Sequence, residues 1–301
     1  MRACVAVTSA LQNTPLRAVI RRTWWQDVPP QFFKVFVVGH SDAHALDAEN
    51  KTHGDMLTTV DSYAHLDVKI FSMISILRSR NPDVYMILDD DTYPRFDRIV
   101  PKLSAISDLS HVAYGGVEYY SFTPHRGHFS GWGGGLRHAR AVHPKNSSGP
   151  FPFLKGPLMV YGSSVMHTLV DDLATATRRQ GLLHFKHRII GDGLMGFLIW
   201  SNKRLNQKVK WHNIGVVTSN TNSRRFNGFA EIRWGRNLSA PESCMQNIHF
   251  GHNRRGRMAA VSRQGNRIFR ENETVMTTPN DVFVTAALLL HENPYCRQHG
   301  A

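Results

Sequence analysis

Short apolar runs alternate with helical periodicities through the first third of the chain. Buried or alternating runs at residues 3–8, 33–39, 56–60 and 84–88 predict four β-strands. Apolar residues at helical spacing predict helices at 16–25, 42–52, 62–79 and 94–109. Because strands and helices alternate at short intervals, we expect a mostly parallel sheet flanked by helices.

The second half of the chain follows a different pattern. Residues 120–156 are rich in Gly, His and Pro, which predicts a long loop, and long loops in compact domains are usually functional or mobile. Helical patterns return at 163–180 and 193–202. No element can be assigned to the last forty or so residues.

Length and composition limit the class of protein. The chain has 301 residues, of which 42% are hydrophobic, enough for a substantial core and for one or two domains. No apolar stretch approaches the roughly 18 residues of a membrane span, and no signal peptide opens the chain. We therefore expect this sequence to be soluble. It is compatible with being part of a longer, membrane-anchored protein.

The chain is strongly basic, with a formal net charge of +13. Such a charge favours anionic partners, among them phosphosugars, acidic surfaces and nucleic acids. Because no nucleic-acid-binding motif accompanies the scattered basic residues, we expect no nucleic-acid partner. The three cysteines form no C-x-x-C pair, which makes a zinc site improbable, and they allow at most one internal disulfide, for which Cys244–Cys296 is the favoured pair.

Three consecutive aspartates, Asp89, Asp90 and Asp91, follow the apolar run at 84–88. A buried strand that ends in carboxylates delivers oxygen ligands to the carboxyl edge of a sheet, where open α/β sheets bind ligands. Carboxylates suit Mg²⁺ or Mn²⁺, which in turn suit diphosphates. The alternative is an acidic turn or helix cap. Mutual repulsion of three adjacent carboxylates favours the metal site.

Other candidate residues each admit a structural and a functional interpretation. Asp192 precedes an apolar helix and is either a helix cap or a catalytic carboxylate. His249, in an apolar context, is either a core histidine or a ligand. Tryptophans 24, 25 and 132 either pack or stack on a base or sugar. Arg17 and Arg21, one helical turn apart, either bind phosphate or form part of a solvated face.

The order of these elements resembles the β1,3-glycosyltransferases of glycosyltransferase family 31. The chain contains, in the family's order, matches to R-x-x-I-R-x-T-W, a strand ending in Gly, D-M-L with D-S-Y-x-x-L-x-x-K, D-D-D-x-Y, P-F-x-x-G, G-D-G-x-x-G, and a late Cys followed by a His. These matches lie at 17–24, 35–39, 55–69, 89–93, 152–156, 191–196, and Cys244 with His249. Gly191 stands where the family has a Glu, so Asp192 is the only carboxylate in that element.

The resemblance implies a fold and a domain arrangement. It implies a GT-A-type α/β fold, in which a Rossmann-like, mixed, mostly parallel sheet is flanked by helices, with a long loop-rich acceptor half. Residues 1–260 would form one catalytic domain, with a nucleotide-sugar half at 1–118 and an acceptor half at 119–260, and 261–301 stays unassigned.

The resemblance also implies an activity. It implies an inverting, metal-dependent hexosyltransferase that moves galactose or N-acetylglucosamine from a UDP-sugar to a glycan hydroxyl and forms a β1,3 linkage. The cofactor would be Mn²⁺ or Mg²⁺. The setting would be the Golgi lumen, with membrane attachment only through an N-terminal anchor absent from this sequence.

Carried onto this chain, the resemblance gives each candidate residue a role. Asp192 would be the general base. Asp89, Asp91 and His249 would hold the metal. The loop at 120–156 would close over the donor and exclude water. The expected donor-binding residues are Thr8, Ser9, Arg17, Arg21, Asp61, Asp89, Asp90 and Trp132.

Three alternatives stay open at the level of sequence. The absent Glu at Gly191 favours a non-catalytic sugar- or nucleotide-binding protein of the same fold. A haloacid-dehalogenase-type phosphatase needs D-x-D-x-T, but Tyr93 occupies the Thr position, which makes this alternative weak. The basic charge also allows a scaffold that binds polyanions.

Overall fold

The computed structural model describes residues 1–39, 43–59, 66–90, 92–123, 128–130, 140, 148–180, 191–214, 229–231, 248–252 and 258–262. The chain divides into two compact units. The first unit comprises Met1–Leu11, Pro30–Asp89 and Leu103–Ile214, and the second comprises Gln12–Pro29, Asp90–Lys102 and Gly215–Ala301.

An eight-stranded sheet forms the first unit. Its strands are β1 (Ala3–Ser9), β2 (Phe33–Gly39), β3 (Met56–Thr59), β4 (Val84–Asp89), β6 (Val112–Thr123), β7 (His128–Ser130), β8 (Ser148–Gly162) and β9 (Lys210–Asn213). The strand order is β3-β2-β1-β4-β8-β6-β7, and β9 pairs with β6. The helices whose ranges lie in this unit are α2 (Ala43–His53), α3 (Leu66–Leu77), α5 (Ser163–Gln180), α6 (Gly191–Ser201) and α7 (Lys203–Asn206).

The first four strands of this sheet are parallel, with β1 between β2 and β4. Each is an apolar or β-branched run, and the observed ends lie within one residue of the predicted ones. The mixed, mostly parallel sheet flanked by helices confirms the predicted fold class. The helix predicted at 94–109 is shorter, because α4 spans Phe96–Ser104.

Strand β8 joins the parallel and antiparallel parts of the sheet. It pairs antiparallel with β4 on one side and with β6 on the other. Its register on β6 shifts, since Gly115 lies opposite Met159 but Val117 lies opposite Leu154. The four residues 155–158 therefore form a bulge opposite a single residue of β6.

The long loop predicted at 120–156 is wrong over the residues that the structure describes there. Strand β6 continues to Thr123, β7 occupies 128–130, and β8 begins at Ser148. The prolines at 150, 152 and 157 obscured β8, because proline cannot donate to a ladder and usually argues against a strand. Residues 124–127, 131–139 and 141–147 lie outside the described residues.

Alternate residues of the central strands build the core of the first unit. Cys4, Val35, Ile87 and Tyr161 lie on one face of the sheet and pack with buried residues of α3, α5 and α6, such as Ile70. The period of two along the strands and the helical spacing along α3 produce this apolar layer. Burial also raises the pKa of the Cys4 thiol to about 11, and Cys4 is a free cysteine.

Helix α6 approaches strand β8 closely at Gly196. A Cβ atom at this position would lie 2.5 Å from the carbonyl oxygen of Pro152 and would also overlap Cβ of Phe153. Both contacts are with the β8 chain near its backbone, which cannot move aside as the end of a flexible side chain can. The glycine thus sets the distance between this helix and the sheet.

We expect Gly196→Ala to lower the free energy of unfolding by about 1–3 kcal/mol, because overpacking outweighs the higher helix propensity of alanine. Thermal or urea unfolding measures the change. Ser201→Ala, at the exposed end of the same helix, is the matched control and should change stability by no more than about 0.5 kcal/mol. A Gly196→Ala variant as stable as the wild type would contradict the close approach.

The described part of the second unit contains short elements. These are α1 (Thr14–Arg22), a 3₁₀ turn at Trp24–Asp27, β5 (Thr92–Pro94), β10 (Phe229–Glu231), β11 (Ile248–His252) and β12 (Met258–Ser262). Strand β5 pairs with β10, and β11 pairs with β12, both antiparallel. Among the described helices of the chain, none is long and apolar enough to cross a bilayer.

Candidate functional site

The carboxyl ends of the parallel strands form a ligand-binding edge in the first unit. The strand order β3-β2-β1-β4 reverses direction at β1, so β1 and β4 flank the topological switch point. Open α/β sheets bind ligands outside the carboxyl ends of the strands at this point. Thr8 of β1 lies directly opposite Asp89 of β4 in the parallel register.

Polar groups are concentrated at the ends of these two strands. The Thr8 hydroxyl lies 3.1 Å from the Leu88 carbonyl oxygen and 3.4 Å from Oδ1 of Asp89, so it can donate to either. The buried ammonium of Lys69 on α3 donates to the Ser9 carbonyl oxygen at 3.2 Å. The structure thus brings the predicted residues Thr8, Ser9 and Asp89 together, with a buried cation beside them.

Asp192 lies in the first turn of α6 and is half-buried. Its Oδ1 accepts a hydrogen bond from the Gly193 N–H at 2.7 Å, and its Oδ2 accepts one from the Gly156 N–H at 3.3 Å. A carboxylate at a helix N-terminus is stabilised by the helix dipole. The N–H groups of Gly156 and Gly193 fix its orientation.

The register of β8 places Asp192 at the same edge of the sheet as Asp89. Leu158 of β8 lies opposite Leu88 of β4, and the two strands run in opposite directions. Gly156 therefore lies beyond Leu158 at the edge where β4 ends in Asp89. Because Gly156 donates to Asp192, one edge of one sheet carries both carboxylates.

An ion pair lies beside Asp192 at the bulge in β8. Lys155 Nζ contacts Oε1 of Glu118 on β6, and the two side chains are only 10% and 12% exposed. Oε2 of Glu118 is buried and has no hydrogen-bond partner among the described residues. Such a pair is strongly coupled, since loss of one partner leaves the other charge buried.

Two buried tyrosines show how far the charge of Asp192 reaches. The pKa of Tyr120 is raised above its ordinary value first by burial and then by the negative charges of Asp192 and Glu118. The pKa of Tyr161 is raised by burial and by Asp192. Asp192 and Glu118 thus lie within electrostatic range of the same phenol, whose ring stacks on Phe153 at 4.0 Å between centroids.

Three other predicted residues belong to the second unit. Oδ2 of Asp90 accepts a hydrogen bond from Nδ2 of Asn13 at 2.8 Å. Arg17 is fully buried and donates to the Thr14 hydroxyl at 2.8 Å, so it is not part of a solvated face. Arg21, one turn further on, is half-buried.

Several predicted residues fall outside what the structure describes. Asp61, Asp91 and Trp132 lie in segments that are not described, and of His249 only the backbone is, in β11 opposite Val261. Among the described residues, no three Asp, Glu, His or Cys side chains are grouped to hold a metal. The carboxylate of Asp89, a half-buried residue at the end of β4, fits the ligand chemistry of Mg²⁺ or Mn²⁺, and the full ligand set stays a prediction.

The tryptophans at 24 and 25 are structural. Both are buried, and the Trp24 ring lies 5.7 Å from the Trp25 ring and 5.8 Å from the Phe96 ring, between centroids. Their rings are therefore occupied by packing within the second unit.

Four residues that the structure places at these sites had no predicted role. They are Asn13, Lys69, Glu118 and Lys155. Glu118 and Lys155 are each a single charge within an otherwise apolar strand, which indicates a buried pair only once both strands and their register are known. Lys69 is the final residue of the D-S-Y-x-x-L-x-x-K match, which marked it without giving it a role, and Asn13 carries no comparable signal.

Comparisons with known proteins agree with the sequence resemblance. The model of the family described as Galactosyltransferase matches residues 16–191. No curated protein matches the sequence.

Two of the solved structures that match this chain are only remotely similar to it. CMP:2-keto-3-deoxy-manno-octonic acid synthetase complexed with CTP is 10% identical, with 60% of this chain and 87% of that chain covered and a TM-score of 0.31. The 4-diphosphocytidyl-2C-methyl-D-erythritol synthase from Anaerococcus prevotii is 9% identical, with 70% and 86% covered and a TM-score of 0.41. These values are too low to support a functional argument.

Proposed function

The chain belongs to the galactosyltransferase family of glycosyltransferases, and we propose that it transfers a hexose from a UDP-sugar to a hydroxyl of a glycan acceptor. The hexose is galactose or N-acetylglucosamine, the new linkage is β1,3, and the anomeric centre is inverted. The proposed setting is the Golgi lumen, which family membership supports. The observation that carries the activity is the placement of Asp89 and Asp192 at one edge of one sheet.

Asp192 is the proposed general base. Its carboxylate accepts the proton of the acceptor hydroxyl while that oxygen attacks the anomeric carbon. The N–H groups of Gly156 and Gly193 hold the carboxylate in one orientation, and a fixed orientation lowers the cost of reaching the reactive geometry. One displacement with one base inverts the configuration, so no covalent nucleophile is needed.

Asp89, Asp91 and His249 are the proposed ligands of Mn²⁺ or Mg²⁺. If these residues hold a divalent cation, it would supply positive charge to offset the negative charge that develops on the departing UDP. The protein's contribution is the carboxylate chemistry at the end of β4, where the Thr8 hydroxyl can donate to Asp89. A ligand that receives such a hydrogen bond is held in orientation for its metal.

The other proposed contacts bind the donor. Thr8 and Ser9 lie at the carboxyl end of β1, as a nucleotide site at a switch point requires. Arg17 and Arg21 offer guanidinium groups for phosphate. The further donor-binding residues in this proposal are Asp61, Asp90 and Trp132.

A second candidate function is sugar or nucleotide binding without catalysis. Gly191 favours it, because this buried residue begins α6 and supplies no carboxylate beside Asp192. A transferase turns over a UDP-sugar, whereas a nucleotide-binding protein of the same fold binds UDP without turnover.

A panel of UDP-sugars tests the proposal. With Mn²⁺ present, we expect UDP release from UDP-galactose or UDP-N-acetylglucosamine that rises when simple glycosides are added, and NMR of the product should show a β1,3 linkage. UDP binding without release from any donor would select the non-catalytic function. Absence of UDP binding would contradict both the transferase and a nucleotide-binding function.

A further inference from the structure

The Glu118–Lys155 ion pair is separated from the proposed base by a short chain of contacts. Lys155 precedes Gly156 in the sequence, and the Gly156 N–H donates to Oδ2 of Asp192 at 3.3 Å. Glu118 contacts Lys155 from the neighbouring strand. Glu118 on β6 is therefore linked, through Lys155, to the Gly156 peptide group that orients Asp192.

This segment of β8 needs an anchor, because the ladder with β6 does not hold it. The register on β6 passes from Leu154 directly to Met159, so residues 155–158 bulge out of the regular pairing. Leu158 is held by Leu88 of β4, which leaves Lys155, Gly156 and Pro157 between two fixed points. The buried pair with Glu118 restrains the first of these residues.

The energetics make this restraint firm. Both side chains are about nine-tenths buried, and separating a buried pair leaves a charge without its partner in a medium of low dielectric constant. Oε2 of Glu118 has no partner among the described residues, so its stabilisation depends on Lys155. The free-energy cost of separating Glu118 from Lys155 is therefore higher than the cost of separating the exposed pairs Arg78–Asp171 and Arg204–Asp172.

We propose that Glu118 is a positioning residue for Asp192: through Lys155 it holds the Gly156 N–H where that group donates to the Asp192 carboxylate. This inference rests on the proposed function in one respect, that the orientation of Asp192 matters because Asp192 accepts the acceptor proton. Glu118 itself touches neither substrate nor reacting atoms in this scheme.

Amide hydrogen exchange, measured by NMR, tests the contact without requiring turnover. In the wild type the Gly156 amide should be protected, and in Glu118→Gln its exchange should be at least about tenfold faster while the amide of Val160, in the same strand, is unchanged. Asp172→Asn, which breaks an exposed pair on α5, is the matched control and should leave the Gly156 amide as in the wild type. Unchanged exchange at Gly156 in Glu118→Gln, or faster exchange along all of β8, would overturn the proposal.

A second variant covers the case in which Glu118→Gln folds poorly. The double variant Glu118→Gln/Lys155→Met removes both charges, so it contains no unpaired buried charge and should retain its fold. We expect its Gly156 amide to lose protection. If that amide is protected as in the wild type, the ion pair does not position it.

Kinetics with the active donor show whether positioning affects catalysis. A small displacement of a reacting group can lower the rate substantially, so kcat of each variant should fall about ten- to one-hundred-fold with KM for the donor little changed. Equal kcat in the wild type and in both variants would overturn the positioning role. Failure of the wild type to use any UDP-sugar would reject the proposed function instead, and the exchange measurement would still decide whether Glu118 holds Gly156.

Discussion

Asp192→Asn should abolish sugar transfer while UDP still binds. General-base catalysis typically contributes about 10²–10⁴-fold, and an amide cannot accept the proton of the acceptor hydroxyl at neutral pH, so kcat should fall by about that factor. The substitution keeps the size of the side chain, and an amide oxygen can still accept from the Gly193 N–H. It replaces a carboxylate oxygen near the Gly156 N–H, which costs about 1–3 kcal/mol if that donor is left unsatisfied.

Two measurements separate a lost base from a damaged fold. Isothermal titration of UDP in the presence of Mn²⁺ should give nearly the wild-type affinity, and the melting temperature should fall by no more than a few degrees. Asp171→Asn is the matched control, because Asp171 is an exposed carboxylate paired with Arg78 on another helix, and its transfer rate should equal that of the wild type. Transfer by Asp192→Asn at the normal rate would show that another group is the base.

Asp91→Asn and Asp89→Asn should remove the metal-dependent part of UDP binding. Each substitution replaces a charged ligand by a neutral amide, which weakens the attraction for a divalent cation and deprives the diphosphate of its counter-charge. We expect the affinity for UDP in the presence of Mn²⁺ to fall by at least about one-hundredfold, since even changes to groups behind metal ligands cost about 10–100-fold. Chelation of the metal should produce the same loss in the wild type and little further change in the variants.

Asp83, at the opposite end of β4, provides a control for the substitutions at Asp89 and Asp91. Asp83 precedes the strand and accepts a hydrogen bond from the Arg2 backbone N–H at 2.6 Å. Asp83→Asn removes an equal charge at the amino end of the same strand and should leave UDP affinity and its metal dependence unchanged. If isothermal titration gives the same UDP affinity for Asp91→Asn as for the wild type, with Mn²⁺ present in both, the proposed role of that carboxylate is wrong.

The parallel half of the fold could be predicted because its signals are local. Strands β1, β2 and β4 are apolar runs bounded by turn residues, and helix α3 shows regular apolar spacing. The end of an apolar strand also placed Asp89 at the ligand-binding edge. These features depend on sequence neighbours, so one sequence suffices to read them.

The antiparallel half could not be predicted because its signals are not local. Strand β8 contains three prolines and a bulge, and its extended form is stabilised by pairing with β4 and β6, which are distant in the chain. The same is true of the candidate site: the sequence indicated Asp192, but its contact with Gly156 and the pair of Glu118 with Lys155 follow from the register of β8. Register between distant strands has no signature in a single sequence of this kind.

Strand β8 also divides the sheet into two regions. On one side, β4 and β1 carry the groups proposed for the nucleotide; on the other, β6, β7 and β9 form an edge that takes no part in that proposal. Substitutions in β7 and β9 should therefore leave the nucleotide edge intact, provided that the bulge at 155–158, the Glu118–Lys155 pair and the close helix contact at Gly196 are kept.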